Sequence, residues 1–362
     1  MIDLYEIKEK ISKEYYDEVL NILLNCNLEK ALIEISNLLQ IYNAIGRYDD
    51  TVKLYNNYRA YIPKDNLFLA NKFLNEYELA TAQNILTSRP RSMLVELSTL
   101  CNLECIMCMQ RERQVTTINP KFLDIAVENM PYLEKLMWQG GEVFLLPQFK
   151  DILLKTLEFP YLRQTITSNF QNIDDELLDL LTRNNINLAV SIDGSKKETY
   201  EKIRTGARFS KIINNLEKLS LYRNKNKSSL KLQINFVVMN SNFKEILGVV
   251  DIAKKYNANS IVFLQCVGKT CLDVENNKIS EVKQYLEQAE QKCKSHNIIF
   301  TNLFGISSEN PKRVSNYDES MKNRLNDIVF ANRNKANFFC HLPWYELTFF
   351  SNNTVSVNCS CD

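Results

Sequence analysis

The sequence lacks an excess of charge of either sign and lacks long apolar runs. Its 362 residues carry 44 basic and 43 acidic side chains, a formal net charge of +1. Proteins that bind nucleic acid or membrane surfaces usually carry a basic surplus, so we expect neither partner. The first residues, MIDLYEIKEKISKEYYDEV, do not form a signal peptide, and no stretch reaches the length of a transmembrane helix. We therefore expect a cytoplasmic protein.

Histidine is also scarce, with two residues, whereas cysteine is frequent, with 10. In the reducing cytoplasm these cysteines are not expected to form a disulfide framework. We expect them instead to bind metal, to take part in chemistry or to pack in the core. The hydrophobic fraction of 45% and the length of the chain allow a large core and two or three domains.

Residues 1–90 have helical patterns and no alternating strand pattern. In IYNAIGRYDDTVKLYNNYRAYIPKDN, a Gly46-Arg47-Tyr48 turn separates two helical patterns, and Pro63 closes the second. This stretch resembles a tetratricopeptide (TPR) helix–turn–helix unit, and NEYELATAQNILTSRP resembles part of another, ending at Pro90. An ordinary helical cap is the alternative. A TPR-like domain would offer a groove to a protein partner.

From Met93 the pattern changes to alternating strands and helices. Six short runs predict strands: MLVEL, LEKLMWQ, RQTITS, NLAVSID, LQINFVVM and SIVFLQC. The amphipathic stretches between them include PQFKDILLKTL, DDELLDLLTRN, FSKIINNLEKLSLY and FKEILGVVDIAKKY. The predicted fold class is α/β, a partial (β/α)6 TIM-like barrel over residues 91–302, with functional residues at the carboxyl ends of its strands. A connector with one helix (303–337) and a β-hairpin segment (338–362) are predicted to follow.

Three cysteines, Cys101, Cys105 and Cys108, lie in the loop after the first predicted strand, within LSTLCNLECIMCMQ. Their C-x3-C-x2-C spacing differs from the two spaced pairs of a zinc site, and histidine ligands are nearly absent. Three thiolates so close together suit three corners of a [4Fe–4S] cluster. The fourth iron would then have no protein ligand within reach, and an open metal position is typical of a reactive site.

This pattern resembles the radical S-adenosylmethionine (SAM) superfamily over roughly residues 93–302. Further motifs follow in order at the ends of predicted strands: QGGE (139–142), TSN (167–169), SIDG (191–194), and then YEKIRTGARFSKIINNL. The resemblance implies that the GGE backbone receives the methionine amino group, where glycine lets the chain approach the ligand closely. It also implies polar contacts to ribose and methionine after the third and fourth strands.

The same resemblance implies that Arg204 approaches the methionine carboxylate, which a guanidinium can pair with bidentately. Two positions depart from the family pattern. Met107 stands where many members have an aromatic residue against the adenine, and Val143 where many have proline; methionine is soft and fills such a site well. The implied SAM-binding residues are Met107, Gly140, Gly141, Glu142, Ser168, Asn169, Ser191, Asp193 and Arg204.

The stretch CHLPWYELTFFSNNTVSVNC resembles the start of a SPASM or twitch extension, in which cysteines around a hairpin hold an auxiliary iron–sulfur cluster. YELTFF and TVSV predict the hairpin strands. Asn353 stands at the turn where the family usually has glycine, and asparagine tolerates the left-handed conformation. The resemblance implies Cys340 and Cys359 as ligands, with Cys361 as a further candidate. The sequence stops at Asp362, before the family's further ligands, so a truncated form, an incomplete site and ligands from elsewhere all stay open.

Four cysteines remain outside these motifs. Cys266 and Cys271 frame CVGKTC after the sixth strand, where a hydrogen-atom donor, a substrate contact or a cluster ligand is conceivable. We favour packing for both, because cysteine is often buried. Cys26 and Cys293 lie on helical patterns and are also expected to pack in the core.

The resemblance implies a radical SAM enzyme with a [4Fe–4S] cluster, SAM and an electron donor such as flavodoxin or ferredoxin. Such an enzyme cleaves SAM reductively to a 5′-deoxyadenosyl radical, which abstracts hydrogen from the substrate. Peptide or protein modification is the favoured hypothesis, because of the helical N-terminal region and the C-terminal segment. A small metabolite, such as a sugar or nucleoside derivative, is an alternative substrate. A non-catalytic metal-binding scaffold is an alternative of another class.

The cysteine count predicts one complete cluster in this chain. Cys340, Cys359 and Cys361 supply at most three thiolates, where a protein-ligated cubane takes four. We therefore expect anaerobically reconstituted protein to contain about four irons per chain, measured by a colorimetric iron assay. A stable content of about eight irons would contradict this expectation and would make Cys266 and Cys271 candidate ligands.

Overall fold

The structure is a computed structural model, and it describes residues 28–44, 46–83, 85–108, 114–266, 274–304 and 346–356. Most of the described residues fall into two compact units, one within residues 28–91 and one formed by residues 92–304 and 347–356. The connector predicted at 303–337 lies almost entirely outside the described residues. The division into four segments stays a prediction.

The first unit is helical. Its helices are α1 (Leu28–Ala44), α2 (Tyr48–Tyr58) and α3 (Leu67–Ala80), and each packs against the other two. Gly46, with a φ of +78°, forms the turn between α1 and α2, where glycine is needed for the left-handed backbone. The core of the unit is formed by Leu32, Ile35, Leu39, Leu69 and Phe73. The helix–turn–helix prediction is confirmed here, whereas the TPR assignment stays a prediction.

The prediction that helical structure continues to Pro90 is wrong, because α3 ends at Ala80. Two features stop the helix. Ala82 adopts a left-handed φ of +51°, and the buried Glu78 carboxylate accepts hydrogen bonds from the backbone N–H groups of Thr87 (2.7 Å) and Ser88 (3.1 Å). The chain is therefore folded back onto the end of α3 instead of extending it.

The second unit is built on an open sheet. Its strands are β1 (Ser92–Ser98), β2 (Lys135–Gly140), β3 (Arg163–Ser168), β4 (Ile186–Ser191), β5 (Lys231–Val238), β6 (Ser260–Gln265), β7 (Ile299–Asn302), β8 (Glu346–Phe349) and β9 (Val355–Ser356). In the described part of the chain the order is β7-β6-β5-β4-β3-β2-β1-β8-β9. Strands β1 to β7 pair in parallel, so their carboxyl ends lie at one edge of the sheet.

This sheet confirms the predicted α/β fold class and the six strands of a partial barrel. The seventh parallel strand, β7, was not predicted. It has only four residues and lies at the edge of the sheet, where Ile299 is 66% exposed, so it lacks the buried apolar run that marks the other strands.

Helices connect the parallel strands. They are α4 (Pro120–Asn129), α5 (Gln148–Thr156), α6 (Asp175–Arg183), α7 (Lys197–Ile203), α8 (Phe209–Lys225), α9 (Ile246–Lys255) and α10 (Ile279–Ser295). Helix α6 illustrates why they form: the Asp174 side chain accepts a hydrogen bond from the N–H of Leu177 at the first turn, and Arg183 stands in the last turn. Among the described helices, none combines the length and the apolar character needed to cross a lipid bilayer.

The two faces of the sheet differ in chemistry. Alternate residues such as Trp138 and Phe236 are fully buried, and the Trp138 ring meets Phe149 of α5 edge-on at 5.4 Å. On the other face, Gln139 and Thr167 are exposed, and Asn235 is half-buried. The helices therefore cover the apolar face of the sheet. The polar side chains lie on the opposite face, and some of them stand near the edge formed by the carboxyl ends of the strands.

The predicted C-terminal hairpin is confirmed for β8 and β9, which pair antiparallel. Asn353 adopts a φ of +65° in the turn, as expected of asparagine at a position that favours glycine. The hairpin tip contacts the segment that returns from the cysteine loop: the hydroxyls of Ser351 and Thr116 are 2.7 Å apart, and Asn353 Oδ1 accepts the N–H of Asn119 at 2.8 Å.

Two glycines bring the end of β2 against the chain that follows β1. The N–H of Gly141 donates to the Ser98 carbonyl at 2.7 Å, and the N–H of Glu142 donates to the Leu100 carbonyl at 2.8 Å. A Cβ at Gly140 would lie 2.1 Å from the Ser98 oxygen, and one at Gly141 would lie 2.1 Å from the Leu100 oxygen. Glycine is therefore required here because two segments of the protein's own backbone approach each other closely. The sequence did not reveal this contact.

Gly141→Ala is expected to lower the free energy of unfolding of the second unit by about 1–3 kcal/mol, because the added methyl group overpacks a rigid backbone contact. Urea denaturation followed by tryptophan fluorescence measures this. Gly46→Ala is the control, because a Cβ there meets no atom within 4 Å. The substitution costs free energy only through the left-handed φ of +78°, so only the first unit should lose stability. A Gly141→Ala protein as stable as the wild type would contradict the steric explanation.

Candidate functional site

A cavity of about 630 Å³ lies at the carboxyl ends of β1 to β4. Its size is typical of a small-molecule or cofactor site. Ten of the predicted site residues line it: Cys101, Cys105, Met107, Cys108, Gly140, Gly141, Ser168, Asn169, Ser191 and Arg204. Two others, Glu142 and Asp193, do not line it; they are 2% and 0% exposed. Residues distant in sequence are thus brought together at the edge where the fold class predicts a site.

The cysteine loop has no regular secondary structure over its described residues 99–108, and backbone hydrogen bonds hold it from two sides. The end of β2 contacts its first residues through Gly141 and Glu142, as described above. On the other side, the N–H of Glu104 donates to the Thr205 carbonyl at 2.9 Å, and the N–H of Ile106 donates to the Ile203 carbonyl at 3.0 Å. Cys105 and Arg204 lie between these paired residues, so both are fixed by the backbone.

The three thiols differ in exposure and in polar neighbours. Cys101 is exposed, Cys105 is 9% exposed and Cys108 is intermediate. The sulfur of Cys101 accepts the backbone N–H of Leu103 at 3.4 Å and the side-chain amide of Asn169 at 3.8 Å. Such donors stabilise a thiolate, which is the form that binds metal.

In the absence of metal, the pKa values of the Cys101 and Cys105 thiols are shifted upward. Burial raises the pKa of Cys105 to about 11; the charge of Arg204 opposes this shift, and the neighbouring thiols add to it. Burial also raises the pKa of Cys101, with a contribution from Glu142 and Cys108. The metal-free Cys101 and Cys105 thiols are therefore protonated at neutral pH, and metal binding would have to release their protons.

The cysteines do not form a site for a single metal ion. Among the described residues, no group of three histidine, cysteine, aspartate or glutamate side chains is arranged to hold one ion. A zinc ion requires its ligands to converge on one point. A cubane cluster instead binds each thiolate at a separate iron, so its ligands can stand further apart.

Glu142 lies buried beside the cavity and organises its wall. Its carboxylate accepts hydrogen bonds from the Ser168 hydroxyl (2.9 Å) and from the backbone N–H groups of Asn169 (2.7 Å) and Phe144 (3.3 Å). Burial raises the pKa of Glu142 above its ordinary value, although these hydrogen bonds oppose the shift. The Glu142 carboxylate thus fixes the two residues that end β3, a role that the motif alone did not suggest.

Arg204 follows α7 and forms a buried ion pair with Asp193. Arg204 Nη2 lies 2.6 Å from Asp193 Oδ2, and the side chains are 9% and 0% exposed. Asp193 is held in turn by the N–H of Val237, which donates to Oδ1 at 2.7 Å. Burial disfavours the arginine's charge, but Asp193 and Cys105 outweigh it and raise the pKa of Arg204 above its ordinary value. The arginine is therefore charged at every physiological pH.

The Arg204 guanidinium has one buried donor, Nε, without a hydrogen-bond partner among the described residues. Its Nη1 donates a hydrogen bond to Cys105 Sγ at 3.9 Å. A buried donor without a partner costs free energy unless a ligand satisfies it. The cavity therefore presents a cationic donor suited to a carboxylate.

Seven further cavity residues were not predicted, among them Thr99, Gln139 and Thr167. Gln139 and Thr167 are the last outward-alternating residues of β2 and β3, on the face opposite the buried Trp138 and Ile166. Strand alternation could have identified both, because parallel neighbours in register share a face.

Cys266 lies 4% exposed at the end of β6, in a cluster with Ile203 and Met239 against which Met107 packs. This placement agrees with the packing interpretation, as does the full burial of Cys293 in α10. Five predicted positions lie outside the described residues: Cys26, Cys271, Cys340, Cys359 and Cys361.

Comparisons with known proteins agree with this fold. A GTP 3′,8-cyclase from Clostridium perfringens is 22% identical over 201 residues, which cover 52% of this chain and 60% of that protein. An AdoMet-dependent heme synthase from Methanosarcina barkeri is 29% identical over 184 residues, which cover 48% of this chain and 50% of that protein. The chain therefore spans only about half to three fifths of these relatives.

Among solved structures, Streptococcus suis SuiB bound to S-adenosylmethionine matches 93% of this chain and 73% of its own, with a TM-score of 0.58 and 16% identity. At that identity the match shows the fold alone. The sequence profile of the radical SAM superfamily matches residues 95–253, which include the three cysteines, the GGE segment and Arg204. Over this range, the chain is similar to the radical SAM superfamily.

Proposed function

We propose that the protein is a radical SAM enzyme that modifies a peptide or protein. The observation that carries this proposal is the set of three thiols, in a loop held by backbone hydrogen bonds, at a cavity that is also lined by Arg204, whose Nε has no partner among the described residues. In this proposal Cys101, Cys105 and Cys108 hold a [4Fe–4S] cluster. When bound, the cluster and SAM supply an organic radical that removes hydrogen from the substrate.

The chain's own residues would bind and orient these groups. The backbone of Gly140 and Gly141, which lines the cavity, would face the methionine amino group, and the Arg204 guanidinium would bind its carboxylate. Ser168, Asn169 and Ser191 would supply polar contacts, and Met107 would pack against the adenine. Three features support this fit: the all-thiol donor set, the Arg204 Nε that lacks a partner among the described residues, and the cavity volume.

A peptide substrate is supported by amide and hydroxyl side chains on the sheet face beside the cavity. Asn235 of β5 is in register with Ser191 of β4, and its amide oxygen accepts a hydrogen bond from Gln233 at 2.7 Å. With Gln139 and Thr167, these side chains offer amide and hydroxyl groups that match those of a peptide backbone. One SuiB structure contains the precursor peptide SuiA. The predicted N-terminal domain, residues 1–90, would serve as a further binding site for the protein partner.

A small metabolite is the second candidate substrate. It is favoured by the sequence relatives named GTP 3′,8-cyclase and AdoMet-dependent heme synthase. Substrate trapping distinguishes the two: reconstituted protein is incubated with SAM and fractionated cell extract, and mass spectrometry identifies the molecule that loses hydrogen. A modified peptide supports the first candidate, and a modified metabolite of low mass supports the second.

Anaerobically reconstituted protein is expected to show a reducible [4Fe–4S] signal by electron paramagnetic resonance, and this signal should change when SAM is added. Cys105→Ala should abolish the SAM-dependent change, because the cluster loses one of three ligands. Cys293→Ala is the matched control, because it removes a fully buried cysteine of α10 and should leave the signal intact. Purified protein that binds only zinc would contradict the proposal and favour a metal-binding scaffold.

Arg204→Ala is expected to weaken SAM binding by about 1–3 kcal/mol, the cost of losing a charge-assisted hydrogen bond. Equilibrium binding to the reconstituted protein measures this, with the iron content as the check that the cluster is retained. Unchanged affinity would show that another residue binds the carboxylate.

A further inference from the structure

Backbone hydrogen bonds hold Arg204 opposite Cys105. The N–H of Glu104 donates to the Thr205 carbonyl and the N–H of Ile106 to the Ile203 carbonyl, so the paired backbone flanks both residues. Asp193 fixes the guanidinium from a third direction at 2.6 Å, and it is itself anchored to the backbone of β5. The distance of 3.9 Å between Arg204 Nη1 and Cys105 Sγ is therefore set by the fold rather than by a flexible side chain.

The surroundings make this charge effective at the sulfur. Cys105 is 9% exposed, Asp193 is fully buried, and Arg204 is 8% exposed. Little water separates the guanidinium from the sulfur, so their electrostatic interaction is weakly screened. Arginine, unlike lysine, stays charged when buried.

We propose that Arg204 raises the reduction potential of the cluster bound through Cys105, and that Asp193 limits this rise; the inference rests on the proposed function of the three cysteines as cluster ligands. One-electron reduction by an external low-potential donor adds one negative charge to the cluster and its thiolates. The nearby cation stabilises the reduced form more than the oxidised form. The Asp193 carboxylate acts in the opposite direction from behind the arginine.

This role differs from binding the methionine carboxylate, because it operates before SAM is present. Hydrogen bonds and charges around the sulfur atoms are known determinants of iron–sulfur potentials. Arg204 is a positioning residue in this sense, since it acts on the cluster through Cys105. The two roles use different donors of one guanidinium and are compatible.

The test is a potentiometric titration of the reconstituted full-length protein without SAM, monitored by electron paramagnetic resonance. Arg204→Gln should make reduction at least tenfold less favourable, a midpoint shift of about 59 mV to lower potential for a one-electron couple. Asp193→Asn should shift the midpoint to higher potential, and Arg204→Lys should lie closer to the wild type than Arg204→Gln does. Arg183→Gln is the matched control, because this α6 arginine is 52% exposed and should not change the potential.

The outcomes separate this inference from the proposed function. A wild-type protein without any iron–sulfur signal would overturn the proposed function and the inference with it. A normal wild-type cluster whose potential is unchanged in Arg204→Gln would overturn the inference alone. Equal shifts in Arg204→Gln and Arg204→Lys would also overturn it, because the charge would not be the cause. If the Arg204→Gln protein does not hold a cluster, the Asp193→Asn protein is used for the test. A midpoint potential in Asp193→Asn that is unchanged or lower than that of the wild type would overturn the inference.

Discussion

The site depends on one constraint, the close backbone contact between the end of β2 and the chain that follows β1. The cysteine loop has no helix or strand hydrogen bonds of its own, so its shape must come from neighbours. Gly140 and Gly141 provide the first contact because any side chain there would overlap the Ser98 or Leu100 carbonyl. The segment 203–205 provides the second. Parallel strands make both contacts possible, because their carboxyl ends meet at one edge.

Around the loop, the fold places two buried charge networks on opposite sides. Glu142 is surrounded by hydrogen-bond donors from the end of β3, whereas Arg204 is paired with Asp193. Burying such groups is costly unless they are paired or hydrogen-bonded, and an ion pair buried in this way adds little net stability. The groups are therefore better explained by what they do at the cavity than by a contribution to folding. Glu142 positions Ser168 and Asn169, and Arg204 presents a fixed cation to Cys105.

Sequence patterns predicted the six main strands and most of the cavity residues, because buried apolar runs and terminal polar motifs are local signals. They did not predict β7, which is short and exposed, or the end of α3 at Ala80, which depends on Glu78 binding Thr87 and Ser88. The burial of Glu142 and the Arg204–Asp193 pair were also not predictable. Each arises from contacts between residues well separated in the chain, and a motif does not reveal which way its side chains point.

The hairpin of β8 and β9 contacts the chain on both sides of the cysteine loop. Ser351 contacts Thr116 and also donates a hydrogen bond to Glu96 of β1, while Asn353 accepts the N–H that begins α4 at Asn119. These contacts are made to the strand that leads into the cysteine loop and to the segment that returns from it. Cys359 follows β9 by only three residues in the sequence. The hairpin is therefore connected through β1 to the backbone that holds Cys101 and Cys105.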